Sequence, residues 1–324
     1  MAVTAEETIG EFRFIAELLR PLARDPAARN LVDDTAVLPL PSGWDLVTTK
    51  DLMAAGRHYF PDDDPALVAR KLLRVNLSDL AAAGAEPVGF LLGLAEPEAL
   101  SRARLARFVA GLREDSELFS IPLLGGDTIS HAGCEVFSLT ALGRVPQGKA
   151  LSRAGARPGD RLYLTGSLGD AALGLLARRG EIASHPLWEE RLTLPRPRLA
   201  FASRARMLIH AAIDISDGLI ADARHMAEAS GCRLVITSGR LPLSRPTRAV
   251  LARNTQLWEA VLAGGDDYEL LLAAPRESEA ALLTIARETD TPLAPVGHVA
   301  TGQGVTVTGL EPRDLSFTRT GFTH

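Results

Sequence analysis

The chain has 324 residues, 46% of them apolar and 23% charged, with 35 basic side chains against 40 acidic ones and a net charge of −5. This is ordinary globular usage, so a buried core is expected and a disordered or fibrous chain is excluded; the length predicts two domains or one large one. The acidic balance argues against a general nucleic-acid or membrane-surface binder, since both need a basic face. No apolar run approaches a membrane span, and the first eleven residues lack the basic and apolar regions of a signal peptide, so a cytoplasmic protein is expected. Cys134 and Cys232 are too few for a disulfide framework or a zinc site and read as small buried apolar residues.

In chain order, Thr4 and Glu7 have capping-box spacing ahead of a helix with Ile9, Phe12, Ile15 and Leu19 at helical intervals. Residues 45–49 (DLVTT) read as a strand, and Pro65 opens a long helix carrying Leu67, Val68, Leu72, Val75 and Leu80. VGFLLGL after Pro87 reads as a buried strand, and 98–114 as a helix with Leu105, Phe108, Val109 and Leu112 on one face. Strands are expected at 121–124 and 136–145, joined through a glycine-rich turn, Gly125-Gly126-Asp127-Thr128. The break Pro146-Gln147-Gly148-Lys149 marks a domain boundary, giving domains at 1–148 and 149–324. Beyond it come a strand at 161–165 (RLYLT), the turn Gly166-Ser167-Leu168-Gly169 and a helix at 170–179. AAIDISDGL (211–219) then leads into a helix, RLVIT (233–237) is a strand, and Gly264-Gly265-Asp266-Asp267 precedes strand-like YELLLAA. Strands and helices mix in both halves, so the class is α+β or α/β.

The informative pattern is a set of aspartates at turns and element ends, often beside glycine: Asp33-Asp34, Asp51, Asp79, Asp127, Asp214, Asp217 and Asp266-Asp267. Carboxylate is the hard oxygen ligand Mg²⁺ prefers, and Mg²⁺ leaves coordination positions for water and substrate phosphate. Glycine beside such groups lets backbone N–H approach phosphate oxygens. Each motif also has a bland reading. Asp33-Asp34 could be a cap, Asp79 a residue on an exposed helix face, Gly125-Gly126-Asp127 a tight hairpin, and Asp217-Gly218 a turn with a helix start. Asp62-Asp63-Asp64 before Pro65 reads as a helix N-terminus complementing the dipole. No P-loop, kinase glycine loop or Ser-His-Asp arrangement occurs, and by spacing alone His58 reads as structural.

Taken in order, VDDTAV, TTKDLMAAGRHYFPDDDP, KLLRVNLSDLAAAGAEPVGFLL, LLGGDTIS, ALSRAGARPGD, LTGSLGDAALGL, AIDISDGLIAD, GGDDYELLL and the final TGFTH resemble the thiamine-monophosphate kinase family over nearly the whole chain. That family shares a superfamily with aminoimidazole ribonucleotide synthetase, selenophosphate synthetase and a hydrogenase maturation factor. The resemblance implies a two-domain fold: an N-terminal ATP- and metal-binding domain that dimerises through its β-sheet, and a C-terminal α/β domain, with ATP in a cleft between them. It implies ATP-dependent phosphorylation of thiamine monophosphate to thiamine diphosphate in a site with several Mg²⁺ ions, in a cytoplasmic homodimer. By position, the implied Mg²⁺ ligands are Asp34, Thr49, Lys50 through its backbone, Asp51, Asp79, Asp127, Asp214 and Asp217. ATP would meet Gly126, Asp127, Arg153 and Ser216, and thiamine phosphate would meet His58, Asp266 and Phe322. No residue is required as general base, since the acceptor is already an anionic phosphate; Asp79 and Asp127 would act through metal.

Three departures from the family pattern stand out. Val32 replaces a glycine before the Asp-Asp pair, which would tighten that loop. Thr49-Lys50-Asp51 stands where the family has Ser/Thr-Thr-Asp, so Lys50 replaces a threonine, and an ammonium turned inward could replace part of an ion's charge. Asp266 replaces glutamate and is one methylene shorter.

Overall fold

The computed structural model describes residues 9–33, 35–97 and 101–309, and the chain divides into two compact units, one of residues 1–80 and 86–148, the other of 81–85 and 149–324.

The first unit opens with α1 (Glu11–Phe14), which continues as a wider π turn over Ile15–Leu19. The wider turn shifts the phase of the expected apolar stripe: Ile9, Phe14 and Leu19 are buried, whereas Phe12 is exposed. The expected cap residues Thr4 and Glu7 lie outside the described residues.

The unit then runs β1 (Trp44–Ala54), α2 (Pro65–Ala82), β2 (Glu86–Pro97), α3 (Arg102–Leu118), β3 (Leu123–His131) and β4 (Val136–Pro146). Its sheet has the order β1-β4-β2-β3, antiparallel except for the parallel β2/β3 pair. Strand alternation sorts the side chains onto two faces. Met53, Phe90, Leu92, Phe137 and Leu139 are buried on one, where Phe108 of α3 lies 4.5 Å from Phe137. The two helices approach so closely at Gly111 that a Cβ there would lie 2.1 Å from the Ala66 carbonyl oxygen. Fully buried Asp115 of α3 ties them together, accepting from Arg70 at 3.0 Å and from Arg74. The other face exposes Leu46, Leu52, Leu91 and Ile129; at one end Ala23, Ala27 and Ala28 pack with Leu124 and Leu142.

Residues 125–128 are strand, not the expected turn. Glycine at 126 is what lets β3 pair there, because a Cβ would meet the Leu92 carbonyl oxygen at 2.0 Å.

The second unit contains β5 (Arg161–Thr165), α4 (Asp170–Arg178), α5 (Pro186–Thr193), α6 (Leu199–Ala205), β6 (Ala211–Asp214), α7 (Leu219–Ser230), β7 (Arg233–Thr237), α8 (Arg245–Leu251), α9 (Trp258–Ala263), β8 (Leu270–Ala274), α10 (Glu279–Glu288), β9 (Leu293–Ala300) and β10 (Gly304–Thr308). The sheet order is β10-β7-β9-β5-β8-β6, and only β7/β10 is parallel. Both faces are covered. Leu162, Leu164, Ile213, Leu271 and Ala273 pack with α7 and α9 residues on one side; Tyr163, Ala212, Leu270, Leu272 and Ala274 pack with Phe201 and Leu282 on the other. A strand buried on both faces reads as an unbroken apolar run, which is the character of LLLAA. Cys232 is buried as expected; Cys134, in the β3–β4 connection, is exposed, a correction to the reading of both as core. No helix among the described residues is long and apolar enough to cross a membrane.

The first unit also buries two carboxylates together. Glu135 accepts from Tyr59 Oη at 2.8 Å and from Arg104, and Glu96 lies against it. Burial, then the neighbouring Glu135 charge, pushes Glu96 up to about 8. Although burial opposes it, hydrogen bonds from Arg104 and Tyr59 hold Glu135 below its ordinary value. With a folded value far above the unfolded one near 4.3, Glu96 keeps a proton that the unfolded chain has released, so stability falls as pH rises from about 5 towards 8. Glu96→Gln is expected to flatten that decline and to raise the melting temperature at pH 8 more than at pH 5. Equal shifts at both pH values in calorimetry would contradict the assignment.

Candidate active site

Strand β1 and helix α2 bring three of the expected ligands together. Thr49 and Asp51, two residues apart on β1, point to the helix-covered face, where Thr49 Oγ1 donates to Asp79 Oδ2 at 2.5 Å. Asn76, one turn before Asp79 on α2, accepts from the Asp51 backbone N–H through Oδ1 at 3.2 Å and anchors its own amide on the Leu72 carbonyl at 2.9 Å. Burial, followed by the charge of Asp79, pushes the Asp51 carboxyl up to about 7. Two carboxylates and a hydroxyl with negative charge concentrated in this way form a hard oxygen donor set, and they fit a divalent cation.

Lys50 and Asp127 do not join them. Alternation puts Lys50 on the other face, where Nζ donates to Ser138 Oγ at 2.6 Å, so the inward-turned ammonium is not what the structure has. Asp127 is exposed on β3, the opposite edge of the sheet from β1. Its cross-strand register runs Asp127, Gly93, Ser138, Leu52, one residue out of step with Asp51. It therefore sits on the open face, three strand spacings or about 14 Å across the sheet. Gly126 precedes it on the same strand.

His58 is held locally. Its Nδ1 accepts from the Ala54 backbone N–H at 3.1 Å, and its carbonyl accepts from Lys71 Nζ at 3.3 Å. Val32 is exposed at the end of a run of positive φ angles, Arg29 (48°), Asn30 (56°) and Leu31 (54°). Asp33 pairs with Arg29. Asp34 and Phe322 lie outside the described residues.

The second unit gathers another set at one end of its sheet, where β5 and β6 end and β8 begins. Asp214 closes β6 and is buried; Ser216 and Asp217 follow in the turn to α7. Gly218 takes φ +114°, and a Cβ there would lie 2.8 Å from the Ala263 carbonyl carbon. Asp217-Gly218 is thus the turn with a helix start that the sequence allows. The loop carrying Asp266 runs against it: Asp266 N donates to Ser216 O and Tyr268 N to Ile215 O, both at 2.8 Å. Asp266 and Tyr268 themselves have φ of 63° and 49°. Aspartate enters that region more readily than glutamate, which gives a local reason for the shorter side chain. Arg153 is exposed, and its carbonyl accepts from Ser230 Oγ at 3.1 Å.

Sequence reasoning missed Asp222 and His225. Asp222 Oδ2 accepts from the backbone N–H groups of Ser216 and Asp217, each at 3.1 Å, and burial followed by the Asp217 charge pushes it up to about 7. Ligand atoms of Asp217, Asp222 and His225 lie within 4.8 Å of one another. Asp222 and His225, three residues apart on α7, were the available signal. Asp267 was passed over as part of a pair. It is buried, accepts from the Gly169 N–H at 2.8 and 3.0 Å, and is driven well above its ordinary value by burial.

Comparison with known proteins settles the lineage. Residues 32–145 match the N-terminal domain, and residues 157–309 the C-terminal domain, of AIR synthase related proteins. The chain is 44% identical to the thiamine-monophosphate kinase of Caulobacter vibrioides over 97% of its own length and 90% of the relative's. The chain belongs to the thiamine-monophosphate kinase family. A crystal structure of the Stenotrophomonas maltophilia K279a thiamine-monophosphate kinase superposes with a TM-score of 0.82 at 37% identity, covering 90% of this chain and 93% of that one. A structure described as AaThiL complexed with AMPPCP and TMP superposes with a TM-score of 0.75 at 29% identity, covering 96% of this chain and 97% of that one. The two-domain α/β fold and the kinase class follow.

Relieving the crowding around Asp51 bears directly on stability. Asp51→Asn is expected to stabilise the metal-free protein by about 1–3 kcal/mol, since the raised carboxyl marks a buried charge at a cost. Melting curves of the two proteins in EDTA read the effect.

Proposed function

We propose that this enzyme transfers the γ-phosphoryl group of ATP directly to thiamine monophosphate, giving thiamine diphosphate and ADP, the last step of thiamine diphosphate synthesis. The observation that carries the reading is the Thr49–Asp51–Asp79 group, with Asp51 pushed up to about 7 beside Asp79. An acidic pocket of this kind suits a divalent cation shared with polyphosphate. Mg²⁺ bound there would supply positive charge to screen two mutually repelling phosphate substrates.

In this reading Asp34, Thr49, the Lys50 backbone, Asp51, Asp79, Asp127, Asp214 and Asp217 hold Mg²⁺. Gly126, Asp127, Arg153 and Ser216 bind ATP, and His58, Asp266 and Phe322 bind thiamine phosphate. Residues 1–148 carry metal and dimerisation, and residues 149–324 complete the nucleotide and substrate sites. The acceptor oxygen is anionic near neutral pH, so no side chain is needed to remove its proton and no phosphoenzyme is formed. ATP is an intracellular metabolite, which places the enzyme in the cytoplasm.

The position of Asp127 favours a homodimer. The open sheet face exposes Leu46, Leu52, Leu91 and Ile129, and the sheet's edges are β1 and β3. Two such sheets closing face to face and edge to edge would set β3 of one copy beside β1 of the other. The partner's β3, with its Asp127, would then stand one strand spacing from β1 instead of the three that separate them within one chain.

Two measurements test this. Incubation with ATP, Mg²⁺ and thiamine monophosphate is expected to yield thiamine diphosphate and ADP, with Asp79→Asn or Asp127→Asn costing at least a hundredfold in kcat and His58→Ala far less; near-normal turnover by both Asn variants would sink the metal assignment. Remixing the two Asn variants after joint unfolding is expected to recover about a quarter of wild-type activity, because half the dimers are mixed and each holds one intact site. No recovery would mean that Asp127 serves its own chain.

A further inference from the structure

The second unit holds three arginines whose charges its carboxylates do not fully answer. Arg198 forms a bidentate pair with buried Glu269, Nε at 2.7 Å and Nη2 at 2.5 Å, and Thr165 Oγ1 donates to the same carboxylate at 2.7 Å. Arg196 pairs with Glu190 at 2.6 Å. Both acids are therefore committed. Arg191, on α5 between these pairs in sequence, is different: its Nε and Nη1 are shut off from water and make no hydrogen bond. Burial, then the charge of Arg196, pulls its pKa down; Glu269 pulls the other way, and Arg198 adds a smaller push down.

Withdrawing guanidinium N–H groups from water without an acceptor opposes folding, and a like charge beside them adds to the cost. The Arg198–Glu269 pair also lies directly beneath the turn that leads from β5 into α4. A Cβ on Gly166 would meet Glu269 Oε1 at 1.8 Å and Arg198 Nη2 at 2.5 Å. Thr165, Gly166 and Glu269 belong to the end of the sheet that carries Asp214, Ser216 and Asp217, with β8 alone between β5 and β6. What this group lacks is an anion with several acceptor oxygens, and guanidinium matches phosphate best.

We propose that Arg191, supported by Arg196 and Arg198, is a phosphate-binding subsite that grips a phosphate ester through guanidinium rather than through metal. It rests on the kinase reading only for which phosphate ester fills it; the anion chemistry stands on the arginines.

The test uses neither nucleotide nor metal, so it is independent of the kinase assay. Binding of inorganic pyrophosphate is measured by calorimetry in EDTA, with chloride holding the ionic strength, for wild type, Arg191→Met and Arg191→Lys. Wild type is expected to bind, Arg191→Met at least tenfold more weakly, and Arg191→Lys in between. Without ligand, Arg191→Met is expected to melt at the same temperature as wild type or higher, because it removes a buried cation that has no acceptor. Absence of pyrophosphate binding by wild type would overturn the proposal. So would wild-type affinity in Arg191→Met. A ligand-free Arg191→Met that melts several degrees lower would also overturn it, since the arginine would then be serving an acceptor within the fold.

Discussion

Negative charge held out of water, close to more negative charge, is what the rest of this molecule is arranged around. Asp51 lies beside Asp79, Asp222 beside Asp217, and Asp267 is buried near Asp170, Glu269 and Asp266. Each placement raises the carboxyl's pKa, so each opposes folding and has to be offset by packing elsewhere. The offset comes from two-sided apolar burial of the six-stranded sheet and from the helix-covered face of the four-stranded one.

Backbone amides do much of the local stabilising. Asp222 takes two N–H groups from the turn that contains Ser216 and Asp217, and Asp267 takes the N–H of Gly169. These bonds fix the turns as well as the acids. The positive φ values of Asp266 and Tyr268 persist because their N–H groups are bound to Ser216 and Ile215 across the facing loop. Two loops distant in sequence thereby become one rigid surface at the end of the sheet. The arginines at the β5 end add a feature of opposite sign to that acidic edge.

Much of the candidate site was legible in the sequence, and the reason is local. Aspartate at the end of a strand-like run is a short-range signal, carried by Asp51 and Asp214, and Asp217 adds a glycine neighbour, Gly218. The long helix from Pro65 was equally plain from its apolar spacing. Other features escaped because they depend on a neighbour that spacing cannot name. Gly125-Gly126-Asp127 has turn composition, yet it is strand, because Leu92 of β2 approaches where a side chain at 126 would stand. Cys134 has the composition of a core residue but falls in an exposed connection. Phe12 left the expected stripe because a π turn altered the phase.

The sequence by itself determined most element types, the acidic chemistry and the kinship, since each of these is written in residue type and order. Tertiary structure decided which acids meet. Alternation and register set Thr49 and Asp51 with Asp79 but sent Lys50 and Asp127 to the other face, because neighbouring residues on a strand point opposite ways and strand order is not chain order. It also decided which charges go unanswered: only folding places Arg191 among committed ion pairs, since desolvation and the positions of neighbouring charges exist only once the chain is packed.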